Sequence, residues 1–386
     1  MGLKINLVLL IFFTTLIICL FIIKQPNLNF YQPSNPFLLF SKKNNIETNL
    51  NKNFKEKLGQ NLVVGIPNKI IDEKTEAILR YIKPAGIVLY ARNYQSNLQF
   101  KELISQLQKI SQEESGTCYF IMIDEEPNGA TRLKLFQNVF YFNFPDWRTI
   151  EQGVEVLSKL GINVLLAPLA DFPFNNDSFI KKRIPFDNYE DLISFNRTFI
   201  NLLKKYNISA TLKHFPGLGV FTKDPHDELP ILSVQRDMFN QSLMIFKDGI
   251  NNGADFVMTG HAIYENIDSK NLATFSSKII KEILGRQLNF NGIIISDDLS
   301  EMILDIKGID PAERGIKALK AGHNLIMYSH NLEKTKNIFD TIYINLNTDQ
   351  ELQSIIENNY QKIINFKKSS TCPNSKPNFT TKEDLM

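Results

Sequence analysis

The sequence predicts an α/β protein whose single catalytic domain is a (β/α)8 barrel of the TIM type. The first observation is that short apolar runs alternate with amphipathic helical stretches, the pattern of a parallel sheet covered by helices. The second is that there are eight such runs, the number that closes a barrel of this kind. The third is that no glycine-rich nucleotide-binding loop follows an early run, which disfavours a doubly wound open sheet.

Each predicted strand is mostly apolar on both faces, as expected of a strand buried between the barrel interior and an outer layer of helices. The predicted strands are 62–66, 86–90, 118–124, 163–169, 209–214, 255–259, 292–297 and 324–328. The helical stretches between them include 100–113, 191–205, 236–251, 277–288 and 311–321. Together these elements define a barrel domain at residues 55–366.

The segment before the barrel has the pattern of a membrane anchor. Residues 5–23 carry no charge and are bracketed by Lys4 and Lys24. As a helix this run would be about 28 Å long, close to the thickness of a bilayer core. Because the run is long for a signal peptide and no small-residue cleavage site follows it, the sequence predicts an uncleaved signal-anchor or transmembrane helix at residues 1–24. Its position at the amino terminus favours a catalytic domain on the extracytoplasmic, periplasmic side.

The remaining segments and the composition set limits on partners. Residues 25–54 lack a sustained period and predict a tether, and residues 367–386 predict a disordered tail. A net charge of +2 without a concentrated basic face excludes nucleic acid as an expected partner. The three cysteines, Cys19, Cys118 and Cys372, form no recognisable disulfide framework. The sequence predicts no particular oligomeric state.

Polar residues are concentrated where the predicted strands end. A barrel of this type carries its chemistry at the carboxyl ends of its strands. The residues at or just beyond these ends are Arg92, Asn93, Asp124, Glu125, Glu126, Asp171, Lys213, His214, His261, Asp297, Asp298, Ser329 and His330. Four of the five histidines in the chain fall in this region once His226 is included. This grouping favours a functional site over histidines that only satisfy local hydrogen bonds.

Asp297 and Asp298 follow one another at the end of an apolar strand. Because consecutive side chains of a strand point to opposite faces, only one of the two can reach the barrel opening. A carboxylate on such a rigid support suits a nucleophile that attacks from a fixed direction. A strand-end aspartate that caps the next loop explains the same spacing, so both interpretations stay open at this point.

The tripeptide Asp224-Pro225-His226 is a second candidate for chemistry. The proline extends the residue before it, so that the side chains of residues 224 and 226 can lie on one side of the chain. A carboxylate can then hold one imidazole nitrogen and leave the other for proton transfer near neutral pH. An exposed turn with a solvated histidine is the more common structure for an isolated tripeptide of this kind.

Several motifs, in matching order along the chain, resemble glycoside hydrolase family 3, and within it the bacterial β-N-acetylglucosaminidases that trim peptidoglycan fragments. They are Pro-Ala-Gly-Ile-Val-Leu-Tyr-Ala-Arg-Asn at 84–93, Lys-His-Phe-Pro-Gly at 213–217, Asp-Pro-His at 224–226, Val-Met-Thr-Gly-His at 257–261 and Gly-Ile-Ile-Ile-Ser-Asp-Asp-Leu at 292–299. The similarity extends from residue 62 to residue 346.

The resemblance implies a retaining β-N-acetylglucosaminidase in which Asp297 is the nucleophile and His226, oriented by Asp224, is the acid/base. A covalent glycosyl-enzyme on Asp297 and hydrolysis without a metal or organic cofactor follow from that assignment. The carbohydrate substrate would carry a terminal β-linked N-acetylglucosamine. The resemblance also implies that the enzyme binds the sugar through Asp124, Arg132, Arg183, Lys213, His214 and His261.

The chain departs from the family pattern in three places. It reads Asp-Glu-Glu-Pro-Asn-Gly at 124–129 where the family usually has Asp-Gln-Glu-Gly-Gly-Arg, and Leu218 stands where relatives usually have a second histidine. The segment Ile-Pro-Phe at 184–186 also follows Arg183. These changes affect residues around the expected sugar site and bear on specificity.

Two other classes of function fit part of the pattern. A metal-dependent amidohydrolase also has histidines and aspartates at a barrel opening, but it needs a His-x-His on its first strand, which here reads Leu-Val-Val-Gly-Ile at 62–66. A membrane-tethered glycan-binding protein without catalysis is suggested by the altered 125–129 segment. Retention of Asp224, His226 and Asp297 argues against it.

Overall fold

The structure is a computed structural model that describes residues 53–136, 138–141, 144–224, 229–300 and 308–371. The predicted anchor at 1–24 and nearly all of the predicted tether at 25–54 lie outside these ranges. Within them, no helix combines the length and apolar character that a membrane span requires.

Eight parallel strands pair with their neighbours in chain order and close into a barrel, which confirms the predicted architecture. The barrel closes where the first strand pairs with the eighth, with Val63 opposite Met327. The strands are β1 Leu62–Gly65, β2 Gly86–Leu89, β3 Phe120–Ile123, β4 Val164–Leu165, β5 Ser209–Phe215, β6 Phe256–Thr259, β7 Ile293–Asp298 and β8 Leu325–Tyr328. All eight overlap the predicted runs.

Helices surround the barrel in the expected alternation. The longer helices are 53–59, Glu73–Ile82, Asn97–Ser115, Trp147–Leu160, Tyr189–Lys205, Arg236–Asn251, Pro311–Ala321, Leu332–Leu346 and Gln350–Phe366, with a π-helix at Lys278–Gln287. Shorter turns occur at Ala91–Asn93, Lys181–Arg183, Leu218–Val220, Glu265–Asp268 and Ala273–Phe275. Two short strand pairs lie outside the barrel, Phe140–Tyr141 with Phe144–Pro145 and Ile231–Leu232 with Ile263–Tyr264.

The helix boundaries follow from local side-chain chemistry. Asp72 accepts a hydrogen bond from the Thr75 N–H at 2.7 Å and so begins the helix Glu73–Ile82. Asp310 begins the helix Pro311–Ala321 in the same way, with a proline in the first turn where its missing N–H costs nothing.

The barrel interior is a packed core. Large apolar side chains from the strands fill it, among them Val63, Phe120, Met122, Phe256, Ile295 and Met327. The rings of Phe120 and Phe256 meet edge to face with their centroids 5.4 Å apart. Because this interior leaves no room for a ligand, a binding site has to lie at the carboxyl ends of the strands, which we call the mouth.

The opposite end, which we call the floor, is closed by the carboxyl-terminal helix. The Phe366 ring lies 6.0 Å from the Phe120 ring and 5.4 Å from the Phe256 ring, measured between centroids. Next to it, the buried Lys367 ammonium donates to Gln60 Oε1 at 2.9 Å. Burial lowers the pKa of Lys367 to about 7.

The buried Lys367 also corrects one predicted boundary. The chain continues as a helical turn over Lys367–Thr371, whereas the disordered tail was predicted to begin at residue 367. A lysine in a polar stretch of sequence predicts a solvated side chain, and the burial of this one depends on the distant Gln60 as a partner.

Cys118, at the entrance to β3, is disulfide-bonded. This bond could not be predicted from the sequence, because three cysteines separated by long stretches give no spacing pattern that signals a framework.

Candidate active site

The two adjacent aspartates at the end of β7 have different surroundings. Asp298 is 3% exposed and accepts hydrogen bonds from the N–H and hydroxyl groups of Ser300 and Ser329, with the two N–H contacts at 2.8 and 3.2 Å. It therefore ties the ends of β7 and β8 together. The side chain of Asp297 keeps 20% of its surface exposed at the mouth, as the alternation of strand side chains requires for one of the pair.

Asp297 lies among basic groups. The Nε2 atom of His214 is 3.7 Å from its Oδ2, and the Asp298 N–H donates to its Oδ1 at 2.8 Å. Burial alone raises the pKa of this carboxyl, but His214, His261 and Lys213 together outweigh burial and hold the pKa below its usual range. The group is therefore ionised at neutral pH, which is the form that a nucleophile needs.

A network of alternating charges lies beside Asp297. The Lys213 ammonium is 2.7 Å from Asp124 Oδ1 and 2.7 Å from Glu126 Oε1. Arg132 contacts the other oxygen of Asp124 at 3.0 Å, and Arg183 contacts Glu126 at 2.6 Å. We call these five residues the charge network. Four of them, all except Glu126, are predicted sugar-binding residues, and the structure brings them together.

The members of the charge network stabilise one another's ionised forms. Burial raises the pKa of Asp124 and of Glu126, but the cations beside them dominate, so the pKa of Asp124 falls well below its usual range and that of Glu126 falls to about 2. Burial lowers the pKa of Lys213, yet the two carboxylates raise it by more. Fixed charges of both signs therefore face the mouth at neutral pH, ready to accept and donate hydrogen bonds.

Replacing Glu126 with glutamine is expected to destabilise the protein by about 3 kcal/mol at pH 7, because buried Lys213 and half-buried Arg183 lose a carboxylate. The pKa of Glu126 is depressed in the folded state to about 2, so its stabilisation is present above the unfolded-state pKa of about 4.3 and disappears as the pH falls through about 2. Urea unfolding at several pH values measures the free energy of unfolding of the wild type and of Glu126→Gln. The difference between these two free energies should decrease below about pH 4.3.

Glu357→Gln is the control for this experiment, since Glu357 pairs with Lys57 at the surface with 38% of its side chain exposed. Glu357→Gln is expected to lower the free energy of unfolding by less than about 1 kcal/mol. If the charge network had no role in stability, Glu126→Gln and Glu357→Gln would lower the free energy of unfolding by the same small amount at every pH.

The segment that departs from the family pattern builds the loop that carries Arg132. Glu125 accepts hydrogen bonds from the backbone N–H groups of Arg132, Leu133 and Leu135 at 2.7, 2.8 and 2.7 Å. The loop is thereby folded around one buried carboxylate, which brings the Arg132 guanidinium back to Asp124. The changed sequence thus still presents cationic donors at the mouth.

His261 differs from the other predicted sugar-binding residues. It is 1% exposed, its Nδ1 lies 2.8 Å from Thr274 Oγ1, and its Nε2 lies 3.2 Å from the Asp298 carbonyl oxygen. Both ring nitrogens face protein atoms, so this geometry suits support of the β7 end better than direct contact with a sugar.

The structure describes only one member of the predicted acid/base pair. Asp224 lies within them and has an interaction partner, whereas Pro225 and His226 lie outside. The assignment of His226 as acid/base therefore stays a prediction. Among the described residues, no group of three or more His, Cys, Asp or Glu side chains is arranged to hold a metal ion.

Sequence reasoning did not single out two residues that the structure places in this region. Glu126 follows Asp124 by two positions, a spacing that puts both side chains on one face of an extended chain and that could have identified it. Asp171 follows the end of a predicted strand, and the sequence predicts no role for it. Its carboxylate lies 2.7 Å from His214 Nδ1, a contact across 43 residues of sequence that no local pattern reveals.

A (β/α)8 barrel with an ionised carboxylate at the end of β7, flanked by charged hydrogen-bonding groups, defines an enzyme suited to a polar, hydroxyl-rich substrate such as a glycoside. Residues 53–366 match the family model described as the glycosyl hydrolase family 3 N terminal domain. The chain belongs to this family and is a glycoside hydrolase.

The chain resembles named relatives at the level of both sequence and structure. It is 30% identical over 278 residues to a protein of Photobacterium profundum named beta-hexosaminidase, covering 68% of this chain and 80% of the relative. A family 3 β-N-acetylglucosaminidase from a Paenibacillus species matches with a TM-score of 0.72 and 24% identity, covering 86% of this chain and 66% of that one. A β-N-acetylhexosaminidase from Beutenbergia cavernae matches with a TM-score of 0.72 and 22% identity, covering 82% and 98%. At these identities the two structures support the fold alone.

Proposed function

We propose that this chain is a retaining β-N-acetylglucosaminidase that releases terminal β-linked N-acetylglucosamine from peptidoglycan-derived fragments. The observation that carries the proposal is the ionised Asp297 at the end of β7, 3.7 Å from His214 and next to the charge network. The names of the curated relatives support the hexosaminidase class. The resemblance of the 213–217 and 224–226 motifs to the peptidoglycan-trimming subfamily supports the finer substrate.

The proposed reaction is a double displacement. Asp297 attacks the anomeric carbon while His226, oriented by Asp224, gives its proton to the departing oxygen, so that a glycosyl ester of Asp297 forms as the glycosidic bond breaks. Water then attacks the same carbon, His226 takes a proton from the water, and the carboxylate of Asp297 departs. Two inversions leave the sugar in its original β configuration.

The low pKa of Asp297 serves both steps. It keeps the carboxylate ionised for attack, and it makes the same group a good leaving group when the ester is hydrolysed. No metal or organic cofactor enters this scheme.

The charge network would bind the sugar hydroxyls. Lys213, Arg132 and Arg183 supply cationic donors whose positions are fixed by Asp124 and Glu126, while carboxylate oxygens accept hydrogen bonds from hydroxyl groups. Such charge-assisted bonds are directional and already organised before the ligand arrives, which limits the cost of ordering them.

The proposed reaction is tested by hydrolysis of 4-nitrophenyl β-N-acetylglucosaminide, with the β-glucoside as the comparison. Proton NMR of the first product should show the β anomer before mutarotation, and an α product would rule out retention. Defined cell-wall fragments would follow, with release of N-acetylglucosamine measured by mass spectrometry. Binding of these fragments without any release would support the non-catalytic glycan-binding alternative instead.

We further propose that residues 5–23 anchor the protein in the membrane, with the barrel on the extracytoplasmic side. The uncharged length of this segment supports insertion. The disulfide bond at Cys118 supports an oxidising compartment, since such bonds persist outside the cytoplasm.

The full chain is expected to sediment with membranes and to resist extraction by high salt and alkali, whereas a chain beginning at residue 53 should be released into the soluble fraction. Protease added to intact spheroplasts should digest the barrel if it faces outward. Recovery of the full chain in the soluble fraction, or complete protection from protease, would contradict the anchor or the orientation respectively.

A further inference from the structure

We propose that Asp171 is a positioning residue that holds the His214 ring with its Nε2 atom directed at Asp297. The inference rests on the proposed role of Asp297 as the nucleophile. It assigns a function to a carboxylate that belongs to no motif of the sequence and lies behind the residues expected to touch the sugar.

Asp171 is fully buried and binds one short segment of chain through several hydrogen bonds. Its carboxylate accepts from the Leu218 N–H at 2.6 Å and from the His214 N–H at 3.1 Å. Its Oδ2 also lies 2.7 Å from His214 Nδ1. Because an ionised carboxylate only accepts hydrogen bonds, the Nδ1 atom of His214 carries a hydrogen in this arrangement.

The opposite nitrogen of the same ring faces the nucleophile. His214 Nε2 lies 3.7 Å from Asp297 Oδ2, so the imidazole separates two carboxylates. Among the described residues, His214 is the only side chain within ion-pair distance of Asp171. Burying a carboxylate without a compensating partner is costly, so the contact ties the His214 ring to Asp171 and fixes its orientation.

His214 is the main described basic group that lowers the pKa of Asp297 against the effect of burial, and His261 and Lys213 act in the same direction. The Asp171 carboxylate also raises the pKa values of the nearby Arg183 and Tyr264. Loss of the Asp171 charge should therefore reach Asp297 through His214.

Asp171 also holds the root of the segment that leads to His226. The turn after β5 is fixed by Leu218, whose N–H donates to Asp171, and by Tyr264, whose hydroxyl donates to the Gly217 carbonyl at 2.7 Å. These contacts alone would give Asp171 a structural role, the anchoring of the turn after β5. An effect of Asp171 on the orientation of the His214 ring has to be measured separately from that anchoring.

Asp171→Asn makes this separation. The amide oxygen can still accept from the Leu218 N–H, but the amide nitrogen is a donor and favours a His214 tautomer whose Nδ1 accepts and whose Nε2 carries the hydrogen. His214 in its native position lowers the pKa of Asp297, so losing that interaction should raise this pKa, and the acid limb of the kcat/KM profile should move up by about one pH unit or more.

The kinetic test compares wild type, Asp171→Asn and Asn196→Ser on an aryl β-N-acetylglucosaminide between about pH 4 and pH 9. Asn196 is the control because its Nδ2 donates to the Leu169 carbonyl at 2.8 Å and supports the same loop without touching His214. Asp171→Asn is expected to lower kcat at least tenfold with a smaller change in KM and to shift the acid limb. Asn196→Ser should lower the melting temperature and leave the limb in place. An unshifted limb in folded Asp171→Asn overturns the proposal.

A measurement on the unmodified protein keeps the proposal testable even where Asp171→Asn does not fold. The five histidines allow their ring nitrogens to be resolved by 15N NMR of the full chain, with His214 identified by its absence in His214→Gln. Nδ1 of His214 should carry a hydrogen in the folded protein, as its contact with Asp171 requires, and an Nδ1 without a hydrogen overturns the proposal. A wild-type protein that cleaves no β-hexosaminide would contradict the proposed function, and the NMR result would still decide how Asp171 holds the ring.

Discussion

Replacing Asp297 with asparagine is expected to lower kcat/KM by about 10⁴-fold or more on every substrate, activated or not. The amide cannot form the glycosyl ester, so the first displacement has no nucleophile whatever the leaving group is. The loss should appear in kcat, because the charge network that binds the sugar is left in place. Substrate binding, followed by calorimetry with N-acetylglucosamine, should change little.

Asp298→Asn is the matched control, since it makes the same chemical change one residue further along β7. Asp298 lies against Ser300 and Ser329 and ties two strand ends together. Its replacement should lower the melting temperature while the folded fraction keeps measurable turnover. If Asp297→Asn retains more than a small fraction of activity, or if Asp298→Asn alone is inactive while fully folded, the nucleophile has been assigned to the wrong residue.

Replacing His226 with glutamine is expected to have an effect that depends on the leaving group. An alkyl or sugar leaving group needs a proton as it departs, so kcat/KM for such substrates should fall by about 10²- to 10⁴-fold. A 2,4-dinitrophenyl group departs without protonation, so its release in the first turnover should be almost unaffected. Water then lacks a base, and the glycosyl-enzyme should accumulate.

This prediction is measured with a series of aryl glycosides and by mass spectrometry of the protein during turnover of the dinitrophenyl substrate. The mass should rise by one N-acetylhexosaminyl unit, and the modified peptide should contain Asp297. Asp224→Asn should show the same dependence on the leaving group with a smaller loss, because its proposed role is to orient His226. Equal losses for all leaving groups would contradict the acid/base assignment.

The barrel could be predicted from the sequence because its strands are buried on both faces. That burial produces continuous apolar runs, and the helices between them have their own period. The extent of β4 was harder to predict. The regular part of the predicted strand 163–169 is Val164–Leu165, and beyond Pro168, which has no N–H to donate, pairing continues only as an isolated bridge between Leu169 and Lys213.

The candidate site was predictable only in part, for a similar reason. The rule that strand side chains alternate predicts that Asp297 and Asp298 differ, and the resemblance to the family selects Asp297 as the nucleophile. Neither argument reaches Glu126 or Asp171. Their contacts to Arg183 and His214 span 57 and 43 residues of sequence, and they arise only when separate strand ends meet around the mouth.

The closed floor of the barrel determines where the polypeptide enters the domain. The helix 53–59 contacts the carboxyl-terminal helix through Lys57 and Glu357 at 2.5 Å, and the chain passes Gln60 on the floor before it starts β1. The first described helix, 53–59, therefore lies on the side of the barrel away from Asp297. A domain whose first helix packs against its base keeps that helix clear of the catalytic opening, so that a glycoside can approach Asp297 from the surrounding medium.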